Sequence, residues 1–333
     1  MIVARLTALS LTACLFSTAA LAAAPGYHIS ERIPGPDGPW DYVRVDPVNN
    51  RVLVAHGTSV TAVDLASKVV TPGLAPGQWL HDAMPVNGGR EMLVTNGGKG
   101  TAVFADALTG ATIETVKAGT NPDAAAFDAR SGLILVMNHS GGDVTLIEAK
   151  THKAAGTIEV GGDLEAAAVD GAGRAFVNVE DKNQIAVVDL AARKVTARYD
   201  LAGCDGPTGL AYDAADRMLI AACDGSTAFV DAASGKVMQT LQTGKGADGV
   251  AFDPGPKLAF VSAGKAGTLA VIGVEKRHAT LLEIVPTQVG ARTVAVDPRT
   301  GRVYLPVARY VVETPGGRRT TAPGTFELLV MDK

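Results

Sequence analysis

A short β-branched run is closed by an acidic or small residue at a nearly constant interval. The positions are Asp64, Asp106, Glu148, Asp189, Asp231 and Gly273, at steps of 42, 42, 41, 42 and 42 residues. A fixed period of this length marks one supersecondary unit copied along the chain. Each copy opens on a strand ending in Asp, followed by a turn and an apolar strand. A Gly/Asn-rich loop comes next, then a third strand, a turn and a looser fourth strand. Residues 128–136 (Asp-Ala-Arg-Ser-Gly-Leu-Ile-Leu-Val) show the first half, and residues 143–161 the second. Runs of Val, Ile, Leu and Phe bounded by Gly, Asn and Asp are strand signals. Four antiparallel strands per repeat of this length make the blade of a β-propeller.

The first-strand Asp recurs at Asp46, Asp128, Asp170, Asp213, Asp253 and Asp297, with Val86 in that place in the second copy. These first strands number seven, so the expected fold is an all-β, seven-bladed propeller of four-stranded blades over residues 27–333. The seventh copy is interrupted. Its third strand is Phe326–Met331, Asp332 takes the marker slot, and no fourth strand follows. Residues 28–35 (His-Ile-Ser-Glu-Arg-Ile-Pro-Gly) resemble fourth strands such as residues 112–119. The N-terminal strand is therefore expected to pair with the last blade and close the ring, which leaves only short protected edges.

Residues 1–22 read as a signal peptide: Arg5, an apolar run Leu6–Phe16, and an A-x-A site at Ala20-Leu21-Ala22. The run Leu11-Thr12-Ala13-Cys14 also matches a lipobox, so a lipid anchor on Cys14 is the minor alternative. No second apolar stretch is long enough to span a membrane. The expected product is a soluble, monomeric, exported protein of the periplasm. The net charge of −4 and the lack of a basic stripe argue against a nucleic-acid backbone as partner. Once the signal is removed, Cys204 and Cys223 remain. They flank the first hairpin of the fifth repeat, whose turn falls near Ala214–Asp216, and so lie at one end of that hairpin. A disulfide between them is expected in an oxidising compartment.

In a propeller, the starts of the first strands and the loops after the second strands share one mouth of the central channel. Five residues before each first-strand marker stand Asp41, His81, Asp123, Glu165, Thr208, Asp248 and Arg292. At the ends of the second strands stand His56, Asn96, Asn138, Glu180, Cys223, Ala263 and Val307. The rest of the repeat is degenerate Ala, Val, Gly and Asp, yet these slots hold imidazoles, carboxylates and a guanidinium. Asp41, Asn96, Asp123, Asn138, Glu165, Glu180, Asp248 and Arg292 are the candidate ligand-binding residues. Asp41, His56, His81, Glu165 and Glu180 are candidate ligands of a divalent metal ion, the candidate cofactor. His56 and His81 are the candidate catalytic acid and base. The structural alternative is that Asp and Asn at strand ends cap their own turns. His139 adjoins the same mouth and is ambiguous.

The insertion Arg309–Gly324 lies between the second and third strands of the seventh repeat, at this same mouth, where a long loop is either a lid or a disordered excursion. Residues 244–249 match G-x-G-x-x-G, but a strand follows rather than a helix, so the dinucleotide reading fails.

Several segments carry a resemblance: Trp40-Asp41-Tyr42 with His56-Gly57-Thr58, Gly119-Thr120-Asn121-Pro122-Asp123, Asn178-Val179-Glu180-Asp181, Pro207-Thr208-Gly209, Gly244-Lys245-Gly246, Gly290-Ala291-Arg292-Thr293 and Pro323-Gly324-Thr325-Phe326. Together they resemble the YVTN family of β-propellers, specifically its exported YncE-like members, over almost the whole mature chain. The resemblance implies a periplasmic seven-bladed propeller and no single activity. Two function classes follow. One is a binding module whose channel mouth takes a small anionic or metal-bearing ligand, or docks a periplasmic protein. The other is a metal-assisted hydrolase or lyase using His56 or His81 at the same mouth.

Overall fold

Asp at the end of a third strand has a local job, seen in three of the repeats. The side chains of Asp64, Asp106 and Asp231 each accept the backbone N–H groups two and three residues on. Each also accepts the hydroxyl of Ser67, Thr109 or Ser234. These bonds hold the carboxyls below the usual range, those to Ser67 and Thr109 foremost for Asp64 and Asp106, and the Arg277 guanidinium foremost for Asp231. In these three repeats the turn after the third strand is thus set by one side chain.

The computed structural model describes residues 24–311 and 320–333. The expected signal peptide 1–22, with Cys14, and the middle of the 309–324 insertion lie outside the described residues. Among the described residues the chain is a ring of antiparallel sheets. Four of them follow in sequence, each of four strands: Pro122–Glu159, Leu164–Asp200, Leu210–Gly244 and Ala247–Pro286. A fifth is built from both ends of the chain, in the spatial order His28–Pro34, Glu327–Asp332, Arg302–Val307, Ala295–Asp297. The N-terminal strand pairs with Glu327–Asp332, with Ile29 opposite Met331 and Ile33 opposite Leu328.

The sixth sheet corrects the expected blade count: the propeller has six blades, not seven. Repeats one and two form a single six-stranded sheet made of Val43–Asp46, Arg51–Asp64, Val70–Val86, Glu91–Asn96, Thr101–Asp106 and Thr112–Lys117. The cause is local. In the second repeat, Gly97-Gly98-Lys99-Gly100 separates two strands; in the first, His56-Gly57-Thr58 leaves no break. A straight strand of that length would span about 45 Å. Instead Leu65 N–H reaches Asn50 C=O at 2.9 Å, so the strand Arg51–Asp64 doubles back within itself. Gly57, at φ +60°, is a left-handed residue within that doubling. Strand Val70–Val86 then runs from one repeat into the next and joins them.

The core lies between adjacent sheets rather than inside any one of them. Second and third strands are covered on both faces; every residue of Met218–Ala222 is buried. Fourth strands, exposed on one side, alternate, as Val237–Gly244 does. Leu135, Met137, Val144 and Leu146 of one sheet pack on Val177, Val179, Ala186 and Val188 of the next. Cys204 and Cys223 are joined in a disulfide with their Cα atoms 5.3 Å apart, as expected from the hairpin.

Candidate metal centre at the channel mouth

The slot five residues before the first-strand marker brings side chains from several repeats to one place. Asp41 precedes the strand Val43–Asp46, and its N–H is held by Ala55 C=O at 2.9 Å. The next N–H, of Tyr42, donates to His81 C=O at 2.9 Å, tying the first and second repeats together at the mouth. Asp123 and Glu165 open the strands Pro122–Asp128 and Leu164–Val169. Asp248 and Arg292 complete the rim. Asp41, Tyr42, His81, Asp123, His139 and Glu165 line one cavity of about 160 Å³, together with Asp248 and Arg292.

Its imidazoles and carboxylates lie within hydrogen-bonding distance of one another. His81 Nδ1 lies 2.7 Å from Asp41 Oδ2 and 3.1 Å from Asp123 Oδ1. On the other side of Asp123, His139 Nδ1 lies 3.1 Å from Glu165 Oε1 and 3.1 Å from Leu164 O. Two clusters capable of coordinating a metal ion result, Asp41–His81–Asp123 and Asp123–His139–Glu165, and Asp123 belongs to both. Ligand atoms each about 2.1 Å from one ion, at right angles, stand about 3 Å apart. The contacts around His81 already have that spacing.

Charge at the mouth is unbalanced. Four carboxylates face one guanidinium and two imidazoles. Arg292 lies 3.3 Å from Asp41, pairs with Asp248, and donates to Trp40 C=O at 2.7 Å. Burial opposes its charge, but Asp41 and Asp248 outweigh burial and hold it above the ordinary arginine range. Asp123 is 7% exposed. Burial, then the charges of Asp41, Glu165 and Asp248, raise its carboxyl well above the usual range. Burial likewise raises Glu165 to about 7, against its hydrogen bond to His139. That same bond raises His139 to about 9. Tyr42 forms the floor, its buried hydroxyl lacking a protein partner; burial and the carboxylates above keep it neutral. Beneath it, Arg44 forks onto the buried Asp82 at 2.9 and 2.6 Å. Burial and mutual repulsion thus penalise the bare carboxylates of the upper site, a penalty that a proton or a cation relieves.

The other candidates lie elsewhere. His56 is 4% exposed and packs its ring 4.2 Å from that of Phe326, with Thr61 Oγ1 3.4 Å from Nδ1. Burial lowers its pKa. It is outside both clusters. Asn96 Oδ1 accepts Gln78 N–H at 3.2 Å, and Asn138 donates to Thr145 Oγ1 at 2.9 Å, each bracing its own repeat. Glu180, raised by burial, lines a neighbouring cavity of about 390 Å³ with Thr208, Asp224, Asp248 and Arg292. His139, which the sequence placed at this mouth without a role, is a member of the second cluster. Tyr42 was not singled out as a site residue by the sequence; its adjacency to Asp41 was the available signal. The base of the 309–324 insertion forms a ribbon, Tyr310–Val311 against Thr320–Thr321, beside this mouth.

No family model matches the chain, and no curated protein matches it. Among solved structures, a chain of the mitotic checkpoint complex superposes with a TM-score of 0.72 at 14% identity, covering 98% of each chain. A chain of the hydrazine synthase of Kuenenia stuttgartiensis gives 0.68 at 16% identity, covering 85% of this chain and 96% of that one. At such identities the likeness is one of fold, and it agrees with the ring of sheets: the chain is a β-propeller.

Proposed function

We propose that this protein is an exported, YVTN-like binding propeller that holds a divalent cation at its channel mouth. The observation that carries the reading is the double membership of Asp123. One buried carboxylate stands between two imidazole–carboxylate pairs, so the arrangement offers one ion position on each side. Nitrogen and oxygen donors together favour zinc, manganese, iron or cobalt over calcium, which prefers all-oxygen sites. The disulfide is consistent with an oxidising, extracytoplasmic compartment, and the signal-like N-terminus narrows this to the periplasm. The ion would serve to present a small ligand or a partner protein with an open coordination position.

The enzymatic alternative, a metal-assisted hydrolase or lyase, draws on the same carboxylate. Two ions bridged by one Asp can activate water and clamp a leaving oxygen. His81 is committed to two carboxylates and His56 lies under Phe326, so the acid and base would have to come from the metal-bound water and Glu165.

Isothermal titration of chelator-stripped protein with Zn²⁺ and Mn²⁺ at pH 7.5 tests the reading. Saturable binding that Asp123→Asn weakens at least about tenfold, a change of about 1.4 kcal/mol, supports it. Binding of neither ion, or unchanged affinity in the variant, overturns it.

A further inference from the structure

The turns between first and second strands and those between third and fourth strands lie at the end of the ring opposite the acidic mouth, because neighbouring strands are antiparallel. In six of the seven repeats the first of these turns holds, or leads directly into, a cation: Arg90, Arg130, Arg174, Arg217, Lys257 and Arg299. Around the second turns stand the exposed Lys150, Lys153, Arg193, Lys194 and Lys236. One or two cations per turn make no basic stripe in the sequence, yet the ring gathers them onto one face. Most carboxylates of this end are turned inward. Asp46, Asp128, Asp213, Asp253 and Asp297 are buried. Asp64, Asp106 and Asp231 are engaged by backbone N–H groups of their own turns. The exposed charges here are therefore mainly cations, with Glu148 and Glu275 the exposed carboxylates among them.

Three of these turns also hold apolar tips. Leu108, Val48 and Val69, at 70%, 66% and 59%, are the three most exposed large apolar side chains among the described residues. They belong to one patch. Asn49 donates to Gly89 C=O at 2.7 Å, and a Cβ on Gly89 would fall 2.5 Å from Val48 Cβ, so the Val48 turn lies against that of Arg90. Ala107 N–H donates to Arg90 C=O at 2.9 Å, which brings in Leu108. Leu65 N–H donates to Asn50 C=O at 2.9 Å, which brings in Val69. Arg299 reaches Pro47 C=O at 2.7 Å on one flank. Asn87 reaches Ala149 C=O, beside Lys150, at 2.9 Å on the other. Aliphatic tips are thus interleaved with Arg299, Arg90 and Lys150.

That combination narrows the partner. Cations attract a phosphate-rich surface, each strengthening the contact about fivefold within a Debye length of about 10 Å. Aliphatic tips gain only where the surface also offers hydrocarbon. A nucleic acid offers phosphate with aromatic bases, and the tips here are not aromatic. An anionic bilayer offers phosphate and hydrocarbon together. Orientation agrees, since the same surface repels Asp41, Asp123, Glu165 and Asp248 at the other mouth and leaves that mouth facing water. The chain also enters the fold on the basic side: His28 stands opposite Asp332, and Tyr27 donates to Gly301 C=O at 2.9 Å. The expected export leader therefore joins the propeller there.

We propose that this turn face docks on an anionic lipid bilayer, with Val48, Val69 and Leu108 entering the headgroup layer and Arg90, Lys150 and Arg299 meeting its phosphates. The metal reading is not required, and a chelator present throughout keeps the two tests apart. The exported protein, without residues 1–22, is floated with phosphatidylcholine vesicles that hold either no phosphatidylglycerol or about 30%, enough for a negative surface potential. Binding should be at least about tenfold tighter with phosphatidylglycerol, and should weaken steeply between about 0.1 and 0.5 M salt. Arg90→Glu with Lys150→Glu should weaken it at least about tenfold. Val48→Ser with Leu108→Ser should weaken it at least about threefold, in protein folded by circular dichroism. If Val48→Ser disturbs its turn, Leu108→Ser alone, at the most exposed position, carries the same test. Lys99→Glu, at the acidic end, should leave binding unchanged. No binding, equal binding to both vesicles, indifference to the charge or the apolar substitutions, or tighter binding to a mixed-sequence oligonucleotide than to the phosphatidylglycerol vesicles overturns the proposal.

Discussion

Asp123 and His81 stand one repeat apart in the chain and 3.1 Å apart in space. Asp41 reaches the same imidazole nitrogen from the other side at 2.7 Å. Two carboxylates on one nitrogen need a proton or a metal ion between them. Burial, and then the charges of Asp41, Glu165 and Asp248, penalise the ionisation of Asp123.

Asp123→Asn separates stability from binding. With a folded-state pKa above its free value, Asp123 lowers the stability of the metal-free protein as pH rises. Asn cannot ionise, and its amide oxygen can still accept from His81. In chelator at pH 8 the variant should melt higher than wild type, by about 2 °C for each kcal/mol relieved in a protein of this size. In Zn²⁺ that saturates wild type the order should reverse, since wild type gains more linkage stabilisation than the weaker-binding variant. Differential scanning fluorimetry of both proteins in both buffers reads the crossover; a variant that melts lower in chelator contradicts it.

A pH series tests the His139–Glu165 pair. Glu165 titrates near 7 in the folded chain and near 4.5 when unfolded, so the unfolded state binds fewer protons between those values. Stability therefore falls as pH climbs from about 4.5 to 7. His139, raised to about 9 from 6.5, contributes stability that is complete below pH 6.5 and is lost as pH rises through 9. Both slopes have one sign. Urea denaturation in chelator should show stability declining by about 1–4 kcal/mol from pH 5 to 9. Glu165→Gln should flatten both parts of that curve, because the Glu165 carboxylate is what raises His139, whereas His139→Gln should flatten the upper part. A stability maximum near pH 8 in chelator excludes this electrostatic account.

What the sequence made legible follows the repeat. Asp41, His81, Asp123, Glu165, Asp248 and Arg292 share one slot, so strand geometry alone brings them together. His139 stands one residue beyond a slot, in the loop after Asn138, where no strand dictates its direction. It turns towards Glu165 of the next repeat. His56 occupies a proper slot and still goes elsewhere. The connection through Gly57 is too tight to carry a loop, and the ring folds in against Phe326. Strand Val70–Val86 runs two repeats into one sheet, which a count of first strands does not register.

The disulfide is a local staple. Cys204 and Cys223 are both fully buried and close a loop of sequence separation 19. In the chain-entropy account, such a loop contributes about 3 kcal/mol. Replacing both by Ser should lower the melting temperature by several degrees while leaving cation binding within about twofold, because neither cysteine lines the acidic cavity. Thiol titration of the denatured, unreduced wild type should find no free thiol at these two positions. Two free thiols remove the bond, and a lost cation site shows that the staple reaches further than its hairpin.

Arg292→Met should move stability and affinity in opposite directions. The guanidinium offsets Asp41 and Asp248 and also holds Trp40 C=O, while its stem fits the rim. Without it, two carboxylates face each other uncompensated. Because the Arg292 side chain keeps about a third of its surface in water, the loss is smaller than for a fully buried pair, about 1–3 kcal/mol. A cation entering beside Asp41 then meets more negative charge and no competing positive one. Zn²⁺ or Mn²⁺ affinity should rise by about tenfold, with a steeper loss of affinity on adding salt. Arg292→Lys, which keeps the charge but not the fork, should fall between wild type and Met in both measurements. A cation affinity that drops with Arg292→Met, in protein shown to be folded by circular dichroism, means that the guanidinium organises the ligand set rather than opposing the ion.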